Sequence, residues 1–528
     1  MRGFPAAARP GVVPALAALV VFAILAFHPA LLNDGDTYWH LAAGGWMLDH
    51  GRLLDRDVFS ATVTGQPWIP LEWLSEVAMA GAYRLGGWTG VILLFAAAGA
   101  ALVGLVGSRL SRVLPATGTA ATLALLFLLA APSLLARPHL LALPLLAGWT
   151  LALLRARDED RAPPLWLPLL MVAWANLHGS YLFGLLLFGV FGLEALIAGR
   201  ATPLKVIGAW APAGLLTLAA AFATPHGLDG VLHPLALTRM RSLPMIAEWR
   251  PVDFSTFGPV EAALLVTLFV CLLKGVRVPF VRLLLLLFVL HMTLEHQRHQ
   301  AVLAVLGPLL LAEPLAEAYG RAEGRAVLGP RGLVAAALAF AVVAGVRIAL
   351  PAQRPDGLNT PVTALTHLPP ELAQRPVLNT YGFGGWLMLT GRRPFIDGRA
   401  DMYGDAFMQR YDAITRGNQQ ALSQALERYG VDWTLLRPDE ALVPILDVRP
   451  GWRRLYADRW AVLHVREAAL ATPWSLERDL IARPAPTSAD RALGVQSRGQ
   501  VNGIEPSPGC RRVAARCSVP RSSERDRA

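Results

Sequence analysis

The chain has 528 residues, of which 54% are hydrophobic and 16% charged. Soluble domains carry about 25% charged residues, so this composition excludes an ordinary globular protein and points to lipid. The formal net charge is +10, but the basic residues lie in short connections between apolar blocks, which argues for membrane orientation and against nucleic-acid binding. The three cysteines, Cys271, Cys510 and Cys517, make neither a zinc spacing nor a disulfide framework.

Along the chain, hydropathy predicts an α-helical polytopic membrane protein of about eleven transmembrane helices, since crossing the hydrocarbon core takes roughly 20 apolar residues. The expected spans are Gly11–Leu32, Trp88–Gly107, Ala116–Leu135, Leu140–Leu154, Pro164–Asn176, Tyr181–Ala198, Val206–Thr224, Pro259–Leu273, Phe280–Leu294, Ala301–Ala318 and Gly332–Leu350. The first is too long for a signal-peptide core of about 7–15 residues and reads as an uncleaved span. With the N-terminus inside, every inner connection is basic, from Arg109 and Arg112 through Arg155, Arg157 and Arg161 to Arg321, Arg325 and Arg331. That is the positive-inside pattern. With the N-terminus thus in the cytoplasm, an odd number of spans puts the C-terminus outside an inner (plasma) membrane. All twelve histidines fall on the outer side of this layout, and polar groups costly to bury in lipid gather at one interface when a water-accessible site is there.

This divides the chain into a transmembrane domain, 1–350, with a long first outer loop, 33–87, and a small extracytoplasmic α/β domain, 351–466. In that domain "RPVLNT", "RPFIDG" and "VDWTLL" read as strands, and "QALSQALERYG" as an amphipathic helix. "WRRLYADRWAVLHV" reads as a hairpin turning at Ala457–Asp458. Residues 467–528 mix Pro, Ser, Gly and Arg without periodicity and are expected to be disordered.

The sharpest chemical signal opens the first loop, "NDGDTYWH". Asp34 and Asp36 are two carboxylates around a flexible glycine at the water boundary. Such a pair can supply a general base or hold a divalent metal such as Mg or Mn with hard oxygen ligands. The competing reading has Asp36 capping a helix that starts near Tyr38. Farther on, "GQPWIPLEWLSE" sets Glu72 and Glu76 one helical turn apart beside Trp68 and Trp73, a mixture suited to an interfacial amphipathic helix, with Glu72 as a site acid the alternative. Other outer loops contribute Arg137 and His139 ("ARPH"), His178 ("ANLHGS"), Glu248 ("AEWR"), and Arg298 and His299 ("LEHQRHQ"). Together with His40 and Glu72 these are candidate substrate-binding residues, because guanidinium groups pair bidentately with phosphate. In "FIDGRADMYG", Asp397, Arg399 and Asp401 follow an expected strand, where internal salt bridging competes with function.

The first loop, "WANLHG" and "IDGRADMYGD" together resemble the GT-C superfamily of lipid-dependent glycosyltransferases, to which protein O-mannosyltransferases and lipid A sugar transferases belong. The likeness covers most of Asn33 to Arg466. It implies that Asp34 or Asp36 is the catalytic base and metal contact. It also implies a lipid-linked sugar donor, a polyprenyl phosphate, with arginines receiving its phosphate. The expected function is therefore an inverting sugar transfer to an acceptor at the outer face, among membrane lipids. A non-catalytic scaffold presenting the outer domain, or a lipid or solute transporter, are the rival readings.

Overall fold

A computed structural model describes residues 11–198, 202–322, 326–350 and 352–471. Within them a helix occupies each apolar block. The helices are α1 (Val12–Phe27), α2 (Gly35–His50), α3 (Trp73–Val113), α4 (Ala116–Ala130), α5 (Pro138–Asp158), α6 (Leu167–Leu177) and α7 (Tyr181–Ala198). They continue with α8 (Pro203–Ala221), α9 (Gly227–Leu237), α10 (Pro259–Lys274), α11 (Phe280–Glu295), α12 (Gln300–Tyr319) and α13 (Pro330–Ala349). The protein is a multi-pass membrane protein, and among the described residues seven helical stretches are long and apolar enough to cross a bilayer: Trp73–Val113, Ala116–Ser133, Pro138–Asp158, Tyr181–Ala198, Pro203–Ala221, Gln297–Tyr319 and Pro330–Ala349. The helices at the first and fifth expected spans, Val12–Phe27 and Leu167–Leu177, are apolar but shorter.

Helix α3 is the main surprise. Hydropathy marks only its second half, yet it starts at Trp73 and runs 41 residues, with a break at Gly86–Gly87. Gly87 has φ 55° and ψ −143°, a conformation open to glycine and strained for residues with a side chain. The polar first half packs into protein: Ser75 and Glu76 are buried, so Glu76 does not face water as an interfacial helix would have it.

Ion pairs collect at two levels of the helical region. Away from the first loop, Arg109 bridges Asp158 (2.8 Å) and Glu313 (2.9 Å), and Arg282 reaches Glu194 (3.0 Å). These groups tie the ends of α3, α5 and α7 to α11 and α12, so each charge has a partner where unpaired burial would be costly. The other level holds the candidate site.

After α13 come α14 (Val362–Thr366), β1 (Val377–Asn379), α15 (Gly384–Leu389), α16 (Ala400–Thr415), α17 (Gln419–Arg428), β2 (Trp433–Leu436), β3 (Trp452–Ala457) and β4 (Val462–Arg466). The sheet order is β1-β2-β4-β3, with β1 and β2 parallel and the other pairs antiparallel. The "RPFIDG" segment is not a strand. Its backbone groups are satisfied elsewhere: Phe395 N donates to Asn379 Oδ1 (2.8 Å), and Ile396 O accepts from Asn379 Nδ2 (2.9 Å). Ala61 N and Thr62 Oγ1 of the first loop take the carbonyls of Pro394 (2.9 Å) and Phe395 (2.7 Å). With those partners a ladder is unnecessary. The chain expected to be disordered begins with a short helix, Glu467–Ala471; the rest of that expectation lies outside the described residues.

Candidate active site

Two short connections and two helix starts bring the site together. Helix α2 begins at Gly35, three residues before the expected start, and its cap is Asp34, not Asp36: Asp34 Oδ1 accepts from Asp36 N at 2.8 Å. The shift follows from Gly35, which can enter the helix while Asp34 stays extended at φ −130° and offers its carboxylate to the orphan amides. Asp36 is thereby released from capping. Its Oδ1 accepts from Trp39 Nε1 (2.9 Å), and its Oδ2 meets Arg137 Nη2 at 2.7 Å.

Arg137, at the start of α5, is the hub. Besides Asp36 it reaches Glu248 (Nη1 to Oε2, 2.5 Å) and Asp34 (3.7 Å). Glu248 also meets Arg298 Nη1 at 3.4 Å, and the Arg298 guanidinium lies 4.2 Å from the Trp249 ring centroid, a cation–π contact. Burial pushes the Glu248 carboxyl up, but Arg137 and Arg298 overcome it and hold the group down at about 2. Asp36 goes the other way. Burial raises it to about 7 against the pull of Arg137, helped by the neighbouring charges of Asp34 and Glu248.

A second cluster adjoins the first. His40 Nδ1 bonds Glu76 Oε1 (3.2 Å), and its Nε2 lies 3.5 Å from Glu72 Oε2. His178 Nε2 approaches the other oxygen of Glu72 at 3.1 Å. Trp39 lies against His40, with ring centroids 3.5 Å apart and the planes tilted by 34°, and so links the two clusters.

Both face one cavity of ≈ 1080 Å³, which Asp34, Asp36, His40, Glu72, Arg137, His139, His178, Glu248, Arg298 and His299 all line. His139 and His299 each spend a ring nitrogen on a backbone oxygen, Ser133 O (2.6 Å) and Met292 O (3.2 Å), which suits wall residues. The lining also includes the apolar side chains of Leu143, Leu146, Leu182, Leu186, Phe288 and Met292. Tyr381, Asp401 and Arg437 come from the region after α13.

That region is pressed against the acidic loop through glycines. A Cβ on Gly398 would stand 2.0 Å from Asp36 Oδ1 and 2.5 Å from Trp39 Nε1; one on Gly385 would stand 2.1 Å from Gly35 O. No side chain fits at either place. Beside them Arg399, 1% exposed, joins Asp397 (2.7 Å) and Asp57 (2.8 Å) and lies 4.8 Å from the Trp68 ring centroid. Asp397 also accepts from Tyr403 Oη (2.8 Å). Of the "FIDGRAD" charges, Asp397 and Arg399 are thus internal glue, while Asp401 pairs with His233 at 3.1 Å.

The donor set does not fit a divalent metal. Asp34, Asp36 and Glu248 converge on a cation, but that cation is the guanidinium of Arg137, and no group of three or more metal-binding side chains occurs among the described residues. Trp39, Trp249 and Tyr381 belong to the site without having stood out in the sequence, and Glu76, expected on an interfacial helix, joins them. For Glu76 the signal was its pairing with Glu72 at helical spacing; for Tyr381, the glycines of "YGFGGW" beside it.

No protein-family model and no curated protein matches the sequence. Among solved structures, the Archaeoglobus fulgidus oligosaccharyltransferase in its apo form matches at 12% identity and a TM-score of 0.49, covering 80% of this chain and 69% of that one. Its complex with Zn and sulfate matches at 11% identity and 0.44, over 80% and 68%. ArnT from Cupriavidus metallidurans bound to undecaprenyl phosphate matches at 15% identity and 0.46, over 88% of this chain and 99% of that one.

Proposed function

We propose that this protein is an inverting membrane glycosyltransferase, moving a sugar from a polyprenyl-phosphate donor to an acceptor hydroxyl at the outer face. One observation carries the reading. A single cavity unites a carboxylate raised toward neutrality, two convergent guanidiniums and apolar side chains. Glu248 sits as an anion between Arg137 and Arg298, the place a donor phosphate would take, since a phosphate offers the same forked acceptors. The lipid chain would follow Leu143, Leu182 and Phe288. Asp36 then removes the acceptor proton as the acceptor oxygen attacks the anomeric carbon from the side away from the phosphate. The C–O bond to phosphate breaks, and Arg137 and Arg298 stabilise the charge developing on the leaving oxygen. One displacement without an enzyme nucleophile inverts the anomeric centre.

The test is transfer of labelled sugar from a synthetic polyprenyl-phosphate donor by protein in lipid nanodiscs, followed against pH. A base with its carboxyl at about 7 works only when ionised, so the rate should fall as pH drops below about 7, approaching tenfold per unit. A rate that stays flat well into the acid range would remove Asp36 from the base role.

The placement of the site at the outer face rests on the basic connections at the opposite helix ends. Alkaline phosphatase fused at Ala400 should be active and at Asp158 inactive; the reverse result would invert the topology.

A further inference from the structure

The place assigned to the donor phosphate is already filled. Arg137 holds Glu248 with both ends of its fork, Nη1 to Oε2 at 2.5 Å and Nη2 to Oε1 at 3.4 Å. Arg298 Nη1 meets the same Oε1 at 3.4 Å. Among the described residues Glu248 is the carboxylate that both guanidiniums share, whereas Asp34 and Asp36 pair with Arg137 alone. A phosphate can therefore reach both arginines only by taking the position of the Glu248 carboxylate, since two anions cannot fill one fork.

The side chain has room to yield, being 27% exposed on the lining of the cavity. Its backbone is tied down on both flanks. After it, Trp249 O accepts from His296 Nδ1 (2.8 Å), Arg250 O from Gln297 N (3.1 Å) and Pro251 O from Gln297 Nε2 (3.0 Å). Before it, Asp405 accepts from Arg241 N (3.1 Å), Ser242 N (2.9 Å) and Ser242 Oγ (2.7 Å). A displaced Glu248 carboxylate thus stays within one side chain's reach of the fork it has left.

We propose that Glu248 is a specificity-determining residue of the transfer, an occupant of the phosphate site that yields to the singly charged donor and drives out the doubly charged product. This rests on the transfer reading above. A sugar polyprenyl phosphate is a diester with one negative charge. Breaking its sugar–oxygen bond leaves the electron pair on oxygen and makes a monoester, which carries a second charge above its second pKa of about 6. That added charge meets a carboxylate still at hand, and like charges side by side repel strongly where water is scarce. When the product leaves, Glu248 returns to the arginines. Burial pushes the Glu248 carboxyl up, but Arg137 and Arg298 bring it to about 2, so its charge is present at every working pH.

The test is equilibrium binding of two lipids to the full-length protein in phosphatidylcholine nanodiscs at about pH 8, where a phosphate monoester carries both charges. One lipid is undecaprenyl phosphate; the other is its methyl diester, which has one charge and no sugar to transfer. Wild type should hold the diester more tightly. Glu248→Gln should tighten undecaprenyl phosphate ~10-fold more than it tightens the diester. Glu248→Ala, which leaves nothing to compete for the fork, should shift the ratio the same way. Arg298→Gln should weaken both lipids. An unchanged affinity ratio in both Glu248 variants, or weaker binding of undecaprenyl phosphate by them, overturns the proposal while the donor site stands. If neither lipid binds wild type or either Glu248 variant, the transfer reading itself falls and this inference with it.

Discussion

Asp36→Asn should lower sugar transfer by ~10²–10⁴-fold, the usual loss for a general base, while the protein stays folded. The structure makes the variant clean in a way the sequence could not show. The cap of α2 belongs to Asp34, so helix initiation is untouched. An asparagine oxygen can keep the bond from Trp39 Nε1, and Arg137 retains Glu248 and Asp34. What is lost is the capacity to accept a proton. Asp34→Asn is the matched control: asparagine caps about as well as aspartate, so activity and unfolding temperature should change little. The measurement is initial transfer rate together with thermal unfolding in the same nanodiscs. Wild-type turnover by a folded Asp36→Asn protein would remove the base from the proposed mechanism.

Arg399→Leu should destabilise the protein by ~3–5 kcal/mol, the cost of stranding buried charges by deleting one partner. Asp57 and Asp397 are both fully buried beside it, and neither has another cation within ion-pair distance among the described residues. Asp57 also fixes the turn of the first loop by accepting from Ser60 N at 3.0 Å. The variant should therefore loosen the first loop and the "IDGRAD" segment together. Adding Asp57→Asn and Asp397→Asn should recover part of the loss, because the stranded charges are then gone. Thermal unfolding of the single and triple variants decides it. A single variant as stable as wild type would mean that the buried ions contribute nothing to this junction.

The rival transporter reading asks for ionisable groups along a path through the bilayer. Here the ion pairs gather at helix ends, around Arg109 and Arg282 at one level and around Arg137 at the other. They brace the bundle without making such a path.

How much of this was legible beforehand depends on which interaction decides each feature. Apolar length is local, so Tyr181–Ala198 and Pro259–Lys274 start where hydropathy puts them, and the second of these ends one residue later. The type of β1, β2 and the β3–β4 hairpin is local too, set by β-branched and aromatic runs between turns. Asp36, Arg137, Glu248 and Arg298 could be singled out because charged residues beside apolar blocks are expensive without a role.

Tertiary structure alone decided the rest. Helix α3 gains its polar first half because Glu76 finds His40, a partner 36 residues away that no window of hydropathy sees. "RPFIDG" forgoes a strand because Asn379 and the first loop satisfy its backbone. Whether Asp34 or Asp36 is the cap turned on one glycine entering the helix. The surroundings of the acidic pair are tertiary for the same kind of reason: the sequence shows two carboxylates, while only the fold shows that Arg137, about a hundred residues later in the chain, pairs with both.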